Sequence, residues 1–201
     1  PREVFLPELV KSAGTQDTIG VDKTASFSGV CRSFDVELKI TGEPAPAPVD
    51  VVLVIDRSGS MDAKYKRKTI MSYAKDAAKL FTDKVLADSN NRVAVVSFSG
   101  PPYLGDIGSA NDAKQEIGLS NNTANVKSAI SNITTYYGTN IQAGFLKAKD
   151  ILQTTGRQNA NKVIVLLTDG VATCSIGNPA GPNEPTSHNA HTRAAYAAGQ
   201  S

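Results

Sequence analysis

Three short apolar runs, rich in β-branched residues, stand out in the pattern of hydrophobic and polar positions along the chain. They cover residues 51–55, 92–98 and 163–167. A continuous apolar run of this length is typical of a strand that is covered on both faces of a sheet. Residues 34–40 instead alternate apolar with charged positions, which predicts a strand with one buried face. A weaker strand is expected over residues 116–119.

Between these strands, apolar residues recur at intervals of three and four positions, which is the period of an amphipathic helix. The pattern predicts helices over residues 63–87, 125–133, 141–152 and 186–198. For the last of these, Thr186 or Ser187 is the expected cap and Gly199 the expected stop. Strands that alternate with helices indicate an α/β fold, with a mainly parallel sheet and helices on both of its faces.

Residues 43–48 separate two parts of the chain that differ in their pattern. Three of these positions are proline, at alternate places, which neither a helix nor the interior of a sheet accommodates. Such a segment is typical of a stiff, extended connector. We therefore expect a β-rich flank over residues 1–42, a connector over 43–48 and an α/β domain over 49–201.

Composition and charge exclude several classes of protein. Of the 201 residues, 21 are Lys or Arg and 19 are Asp or Glu, which gives a formal net charge of +2. This balance does not suit a nucleic-acid-binding surface, so we expect no nucleic-acid partner. The longest apolar run, residues 51–55, is far shorter than the roughly 20 residues of a membrane-spanning helix, so no membrane span is expected in this sequence.

Oxygen-bearing side chains follow the predicted strands at the edge where open α/β sheets bind their ligands. Asp56, Ser58 and Ser60 come after the first run, Asp169 comes after the third run, and Thr139 comes just before the helix predicted to begin at residue 141. The first three alternate along an extended turn, so their side chains can point to the same side. A set of oxygen ligands suits a hard divalent cation, with Mg²⁺ the expected ion and Mn²⁺ or Ca²⁺ the alternatives. Because two carboxylates beside neutral hydroxyls neutralise such an ion incompletely, we expect a further carboxylate from a partner.

Together these residues resemble the metal-ion-dependent adhesion site of the von Willebrand factor type A domain. The resemblance rests on Asp-x-Ser-x-Ser at 56–60, on Thr139 within Gly-Thr-Asn, and on Thr-Asp-Gly at 168–170. It extends from about residue 49 to residue 201 and implies a Rossmann-like, doubly wound fold. Because the family's domain continues beyond the last predicted helix, the resemblance also implies a domain that is incomplete at its C-terminus.

The resemblance also implies how the site works. The hydroxyls of the two serines and the threonine would bind the cation directly, and the two aspartates directly or through water. A glutamate or aspartate of a protein ligand would take the open position. The chain would then be a non-catalytic adhesion module of an extracellular or cell-surface protein, as in bacterial surface proteins and pilus-tip adhesins, with a host or matrix protein among its candidate ligands.

Two other functions are carried as alternatives. One is an intracellular subunit that assembles complexes, like the type A domains of metal chelatases or those partnered with ATPases. Reduced cysteines and a full-length gene without a signal peptide would favour that alternative. The other is a metal-assisted hydrolase, but Ser58 stands where phosphotransferases of that sort usually place a second aspartate, and no pair of nucleophile and base is evident.

The two cysteines, Cys31 and Cys174, leave two interpretations open. An even count in a surface protein permits a disulfide between them, and two free thiols are the alternative. His188 and His191 form a His-x-x-His pair, for which surface positions are a better interpretation than zinc binding.

Two further features lie in the loops. Tyr136 and Tyr137 precede the candidate metal-binding threonine and are either rim residues or one buried and one exposed ring. Residues 171–187 form a long segment rich in Gly, Pro and Asn beside Asp169, and we expect them to shape ligand specificity.

Overall fold

The computed structural model describes residues 19–27, 34–42, 46–103, 105–177 and 185–200. The chain divides into two compact units, Pro1–Pro46 and Ala47–Ser201, and the division falls inside the predicted connector. In the first unit, β1 (Ile19–Phe27) and β2 (Phe34–Gly42) form an antiparallel pair. The strand predicted over residues 34–40 is confirmed. β1 was not predicted, because its sequence mixes apolar and polar residues without a clear period.

Within the described residues, the second unit contains six strands and four helices. The strands are β3 (Val49–Asp56), β4 (Lys64–Tyr65), β5 (Lys68–Thr69), β6 (Arg92–Phe98), β7 (Ala113–Ser120) and β8 (Asn161–Leu167). The helices are α1 (Ile70–Val85), α2 (Thr123–Ser131), α3 (Ile141–Thr154) and α4 (Pro185–Gln200), and short 3₁₀ turns cover Gly59–Asp62 and Ala110–Asp112. None of these helices is long and apolar enough to cross a membrane.

Four of the described strands form one sheet in the order β7-β6-β3-β8. β3 is parallel to β6 and to β8, whereas β7 is antiparallel to β6. β4 and β5 form a separate antiparallel hairpin. Helices α1 and α2 pack on one face of the sheet, and α3 and α4 pack on the other. The predicted α/β fold, with a mainly parallel sheet between two layers of helices, is therefore confirmed.

Successive residues of β3 belong to two separate cores. Val52 and Val54 pack with α3 and α4, whereas Leu53 and Ile55 pack with α1 and α2. All four side chains are fully buried, which explains why this strand is a continuous apolar run. Gly144 allows α3 to approach closely, because a Cβ atom there would lie 2.9 Å from Cγ1 of Val54.

The helix predicted over residues 63–87 begins instead at Ile70, because the preceding residues form the β4–β5 hairpin. Lys66, in the turn of this hairpin, has a φ of 56°, which lies in the left-handed region and cannot continue a right-handed helix. Thr69 caps α1, since its side chain accepts a hydrogen bond from a backbone N–H of the first turn.

Two further predictions are wrong, and both concern the ends of α4. α4 begins at Pro185, which suits the first turn of a helix, so neither Thr186 nor Ser187 precedes it as a cap. Gly199 lies inside α4 and does not stop it. The weak strand predicted over residues 116–119 is confirmed as β7, which is longer at both ends.

Asp50 lies near the start of β3, at the end of the strand opposite Asp56, and its side chain is fully buried. Its carboxylate accepts hydrogen bonds from Nε and Nη2 of Arg92 at 3.0 and 2.7 Å. It also accepts hydrogen bonds from the backbone N, Nε and Nη2 of Arg157 at 2.8, 3.1 and 2.7 Å. Burial alone would raise the pKa of Asp50, but these hydrogen bonds outweigh it and hold the pKa well below its usual range.

Candidate metal site

Asp56, the last residue of β3, is fully buried and fixed by hydrogen bonds to both of its carboxylate oxygens. Oδ1 accepts from the backbone N–H of Ser58 at 2.8 Å, and Oδ2 accepts from Oγ1 of Thr168 at 2.6 Å. Because Thr168 directly follows β8, its hydroxyl ties the ends of two neighbouring strands together. Sequence analysis gave Thr168 no such role, although it belongs to the Thr-Asp-Gly triplet.

A chain of oxygen atoms continues from this carboxylate toward the solvent. The Oγ atoms of Ser58 and Ser60 are 3.0 Å apart, and Ser60 Oγ donates a hydrogen bond to Oδ1 of Asp169 at 2.9 Å. Ser58 is buried, whereas Ser60 and Asp169 are exposed. Hydrogen bonds thus join Asp56, Ser58, Ser60 and Asp169 into one cluster with a buried floor and an open rim.

Thr139 reaches the same edge of the sheet through the backbone. In the loop before it, the carbonyl of Tyr137 accepts a hydrogen bond from the N–H of Gly59 at 2.7 Å, and the N–H of Tyr136 donates to the carbonyl of Arg57 at 2.6 Å. Among the described residues, no hydrogen bond joins the buried Thr139 hydroxyl to another group. The structure therefore brings the Thr139 loop against the Asp56 loop and leaves this hydroxyl available.

A glycine that sequence analysis missed makes room for the Thr139 loop. A Cβ atom on Gly100 would lie 2.7 Å from Sγ of Cys174, 2.8 Å from the carbonyl carbon of Gly138 and 2.9 Å from the backbone N of Thr139. Two of these three neighbours are backbone atoms, which cannot move aside without moving the loop. Apart from its position two residues after the 92–98 run, nothing in the sequence marks Gly100 for this role.

Asp112 supports the start of α3. Its carboxylate accepts hydrogen bonds from the backbone N–H of Ser109 and from Nδ2 of Asn140, both at 2.8 Å. Asn140 in turn caps α3, because its side-chain oxygen accepts from the N–H of Ala143 at 3.1 Å. These contacts fix the backbone that follows Thr139.

The electrostatics of the cluster favour a cation. Burial raises the pKa of Asp56, and so does the neighbouring charge of Asp169, whereas the hydrogen bonds from Thr168 and Ser58 lower it. A positive ion between the two carboxylates would remove the unfavourable part of this balance.

The donor atoms also fit the size of a small divalent ion. Adjacent oxygens of an octahedral Mg²⁺ site, each about 2.1 Å from the metal, lie about 3.0 Å apart. The Ser58–Ser60 and Ser60–Asp169 oxygen distances are 3.0 and 2.9 Å. Within the described residues, no group of three or more His, Cys, Asp or Glu could hold a metal, so the candidate site depends on its hydroxyls.

Aromatic and cationic side chains lie in the same loops. Tyr136 and Tyr137 are 45% and 59% exposed and pack edge to face, with ring centroids 4.9 Å apart. The Arg57 guanidinium lies 5.2 Å from the ring centroid of Tyr136, within the range of a cation–π contact. Since both rings are exposed, the alternative with one buried ring is wrong.

The segment that follows Asp169 contains a buried thiol and a buried imidazole. Cys174 is a free, buried cysteine in the structure, and burial, with a smaller contribution from Asp112, raises the pKa of its thiol to about 11. Cys31 lies outside the described residues, so the proposed pairing of the two stays a prediction. His191 is buried, and its Nδ1 lies 3.0 Å from Oγ of Ser175, so the predicted surface position for this histidine is wrong.

The other predictions for this region fall partly outside the described residues. The described residues do not include 178–184, and nothing is described of the side chain of His188. The predicted contribution of residues 171–187 to specificity therefore stays a prediction.

The domain is a doubly wound α/β sheet with oxygen-bearing side chains at the carboxyl ends of its strands, which is where open α/β sheets bind their ligands. The profile of the von Willebrand factor type A domain family matches residues 51–171, and the chain belongs to this family.

Two relatives come from one protein of Porphyromonas gingivalis. The minor fimbrium subunit Mfa5 is 32% identical over 145 residues, which is 71% of this chain but 11% of that protein. This chain thus spans about a tenth of the length of that relative. The crystal structure of three N-terminal domains of the type V pili tip protein Mfa5 is 27% identical, with a TM-score of 0.58, over 82% of this chain and 28% of that one.

A third comparison extends the likeness in fold. The PilB minor pilin of Streptococcus sanguinis has a TM-score of 0.61 at 15% identity, over 90% of this chain and 63% of that one. At this identity the match shows the fold alone.

Proposed function

We propose that this chain is a non-catalytic, metal-dependent protein-binding module of a cell-surface or extracellular protein. Asp56, Ser58, Ser60, Thr139 and Asp169 would hold a divalent cation, Mg²⁺ in the first place. The ion would bind a glutamate or aspartate carboxylate of a protein ligand, and so bridge the two proteins. The observation that carries the proposal is the hydrogen-bonded cluster of oxygens at the strand ends.

The residues of the cluster would have different tasks. Asp56 is buried and held on both oxygens, so it presents a fixed negative charge at the floor of the site. Ser60 and Asp169 are exposed and stand where a ligand can approach. When bound, the cation supplies the positive charge that attracts the ligand's carboxylate. No histidine, cysteine or lysine takes part in the hydrogen bonds of this cluster within the described residues, which supports binding over catalysis.

The relatives support the location of this function. The tip protein of a pilus is a component of the bacterial surface, and this chain shares sequence and fold with part of such a protein. We therefore propose an extracellular location and a protein ligand on a host cell, in a matrix or on another bacterial component.

Metal binding is tested by titration with Mn²⁺, monitored by electron paramagnetic resonance, and with Mg²⁺, monitored by calorimetry. Asp56→Ala should weaken binding by at least about tenfold, which is the loss expected even for residues that only support a metal ligand. The matched control is Asp150→Ala, an exposed aspartate that is the tenth of the 14 residues of α3. Equal affinities of the wild type and the Asp56→Ala variant would contradict the proposal.

Thr139→Val provides a sharper variant, because valine has nearly the same shape and lacks only the hydroxyl. That hydroxyl has no hydrogen-bond partner among the described residues, so its loss should leave the melting temperature nearly unchanged. The affinity for the ion should nevertheless fall, since one oxygen ligand is lost. Unchanged metal affinity in a stably folded Thr139→Val protein would remove Thr139 from the site.

A further inference from the structure

The β4–β5 hairpin carries the densest positive charge in the sequence. Lys64, Lys66, Arg67 and Lys68 occupy four of five consecutive positions, and all of them are exposed. Because the whole chain has a net charge of +2, the chain outside these five positions has a net charge of −2. We refer to residues 64–69 as the basic hairpin.

The positive charge of the basic hairpin is largely unneutralised. Within the described residues, Lys68 pairs with Asp76 at 2.7 Å, whereas Lys64, Lys66 and Arg67 have no ion-pair partner. Instead, Nζ of Lys66 lies 5.4 Å from the ring centroid of Tyr65, which is 60% exposed. These cations are therefore open to a ligand and are not used to hold the fold together.

Lys66 occupies a position that glycine would fill better. Its φ of 56° is left-handed, a conformation that costs free energy for any residue with a Cβ atom and none for glycine. It is the first residue of a two-residue hairpin turn, where a positive φ favours glycine. A strained lysine in an exposed turn points to a role for its charge.

The basic hairpin lies close to the candidate metal site. The N–H of Ala63 donates to the carbonyl of Ser60 at 2.8 Å, and the N–H of Ile70 donates to the carbonyl of Ala63 at 3.0 Å. These bonds fix the base of the hairpin to the loop that carries the Ser60 hydroxyl. Lys64 follows Ser60 by four residues, so their Cα atoms are at most about 14 Å apart.

We propose that the basic hairpin binds acidic residues that flank the carboxylate bound at the metal site. This proposal rests on the proposed function and adds the chemistry of the partner, which is a protein segment with several acidic residues close together. A divalent ion and three unpaired cations on neighbouring loops both select negative charge. We favour a protein ligand over a sulfated glycan because the hairpin is close enough to the candidate metal site for one short acidic segment of a protein to contact both.

The test compares two fluorescein-labelled peptides by fluorescence anisotropy in saturating Mg²⁺. One peptide has a single glutamate in a Gly/Ser background, and the other has the same glutamate flanked by further glutamates. The protein variant combines Lys66→Gly with Arg67→Ser. Its matched control is Lys162→Ser, an exposed lysine near the start of β8 and hence at the opposite edge of the sheet.

The wild type and the control should prefer the acidic peptide, and the double variant should lose about fivefold to tenfold of that preference, given the usual strength of exposed charge pairs. The affinity for the single-glutamate peptide should not change. Added salt should reduce the preference, because exposed charges are screened. Lys66→Gly alone should not lower the melting temperature, since relief of strain offsets the freedom that glycine adds to the unfolded chain.

An undiminished preference in the double variant would overturn the proposal. A second result would also overturn it. In the presence of chelator, the double variant would bind a heparin oligosaccharide more weakly than the wild type does, while its preference for the acidic peptide persisted. Failure of the proposed function looks different: binding of the single-glutamate peptide would then be unaffected by chelator and by Asp56→Ala.

Discussion

Replacing Asp50 with alanine should destabilise the fold without affecting the metal site. Asp50 and Asp56 stand near opposite ends of β3, six positions and thus about 20 Å apart. Both carboxylates are fully buried. They differ in their surroundings, because Asp50 accepts hydrogen bonds from two arginines whereas Asp56 faces another carboxylate, Asp169.

The size of the effect follows from the partners that Asp50 leaves behind. Removing one member of a buried ion pair costs about 3–5 kcal/mol, because the other member stays without its counter-charge. The side chains of Arg92 and Arg157 are 26% and 30% exposed, so water can partly compensate them. We therefore expect the lower end of the range, about 3 kcal/mol. For a domain of this size, that corresponds to a fall in melting temperature of roughly 6–12 °C.

The assay is urea and thermal unfolding followed by circular dichroism, with Asp83→Ala as the matched control. Asp83 forms an exposed pair with Lys127, and the two side chains are 44% and 38% exposed. Loss of such a pair costs at most about 1 kcal/mol. Affinity for Mn²⁺ should remain at the wild-type value in both variants, because neither residue forms a hydrogen bond with a member of the oxygen cluster.

The pH dependence provides a second measurement. Since the folded-state pKa of Asp50 is lowered, its stabilising contribution is fully present above the unfolded pKa of about 4. It is lost as pH falls through the folded-state pKa. The difference in unfolding free energy between wild type and Asp50→Ala should thus be constant near neutral pH and shrink in acid. A difference that matches that of Asp83→Ala, or that does not change with pH, would refute this reasoning.

Two further predictions concern residues close to the candidate metal site. Gly100→Ala should lower both the melting temperature and the affinity for Mn²⁺, because its Cβ would press on the backbone before Thr139. Gly170→Ala has nothing within 4 Å of its Cβ, so it should change neither by that mechanism. Similar Mn²⁺ affinities of the two variants would contradict this prediction. Cys174, with its raised pKa, should resist alkylation in the native protein, and rapid alkylation would contradict the burial of its thiol. Mass spectrometry without reductant should reveal whether Cys174 is joined to Cys31.

The central strands could be predicted from sequence because a strand buried on both faces is a continuous apolar run, which is visible in the local sequence. β6 coincides with the predicted 92–98 run, and β3 and β8 extend their predicted runs by one or two residues at one or both ends. The antiparallel direction of β7 has no such signal in the local sequence. Whether a strand pairs parallel or antiparallel depends on the route of the chain between strands, and no single segment contains that information.

The candidate site shows the same division. Their positions after predicted strands, together with the resemblance to a known site, were enough to select Asp56, Ser58, Ser60 and Asp169, which the structure joins by hydrogen bonds. The need for Gly100 could not be seen, because the atoms it must avoid come from distant segments. The burial of a histidine in α4 was missed for the same reason, since the residue that covers it lies in the loop after β8.

The position of Asp56 at the end of β3 has a mechanical consequence. β3 has a parallel neighbour on each side, so a load applied to Asp56 along the strand would be resisted by β6 and β8. Such a load shears both ladders, so that their hydrogen bonds must break together and not one after another. Thr168 passes part of the tension to β8, and the arginines around Asp50 anchor the far end. The strand that ends at the candidate metal site is thus also the element best placed to transmit a load on that site to the sheet.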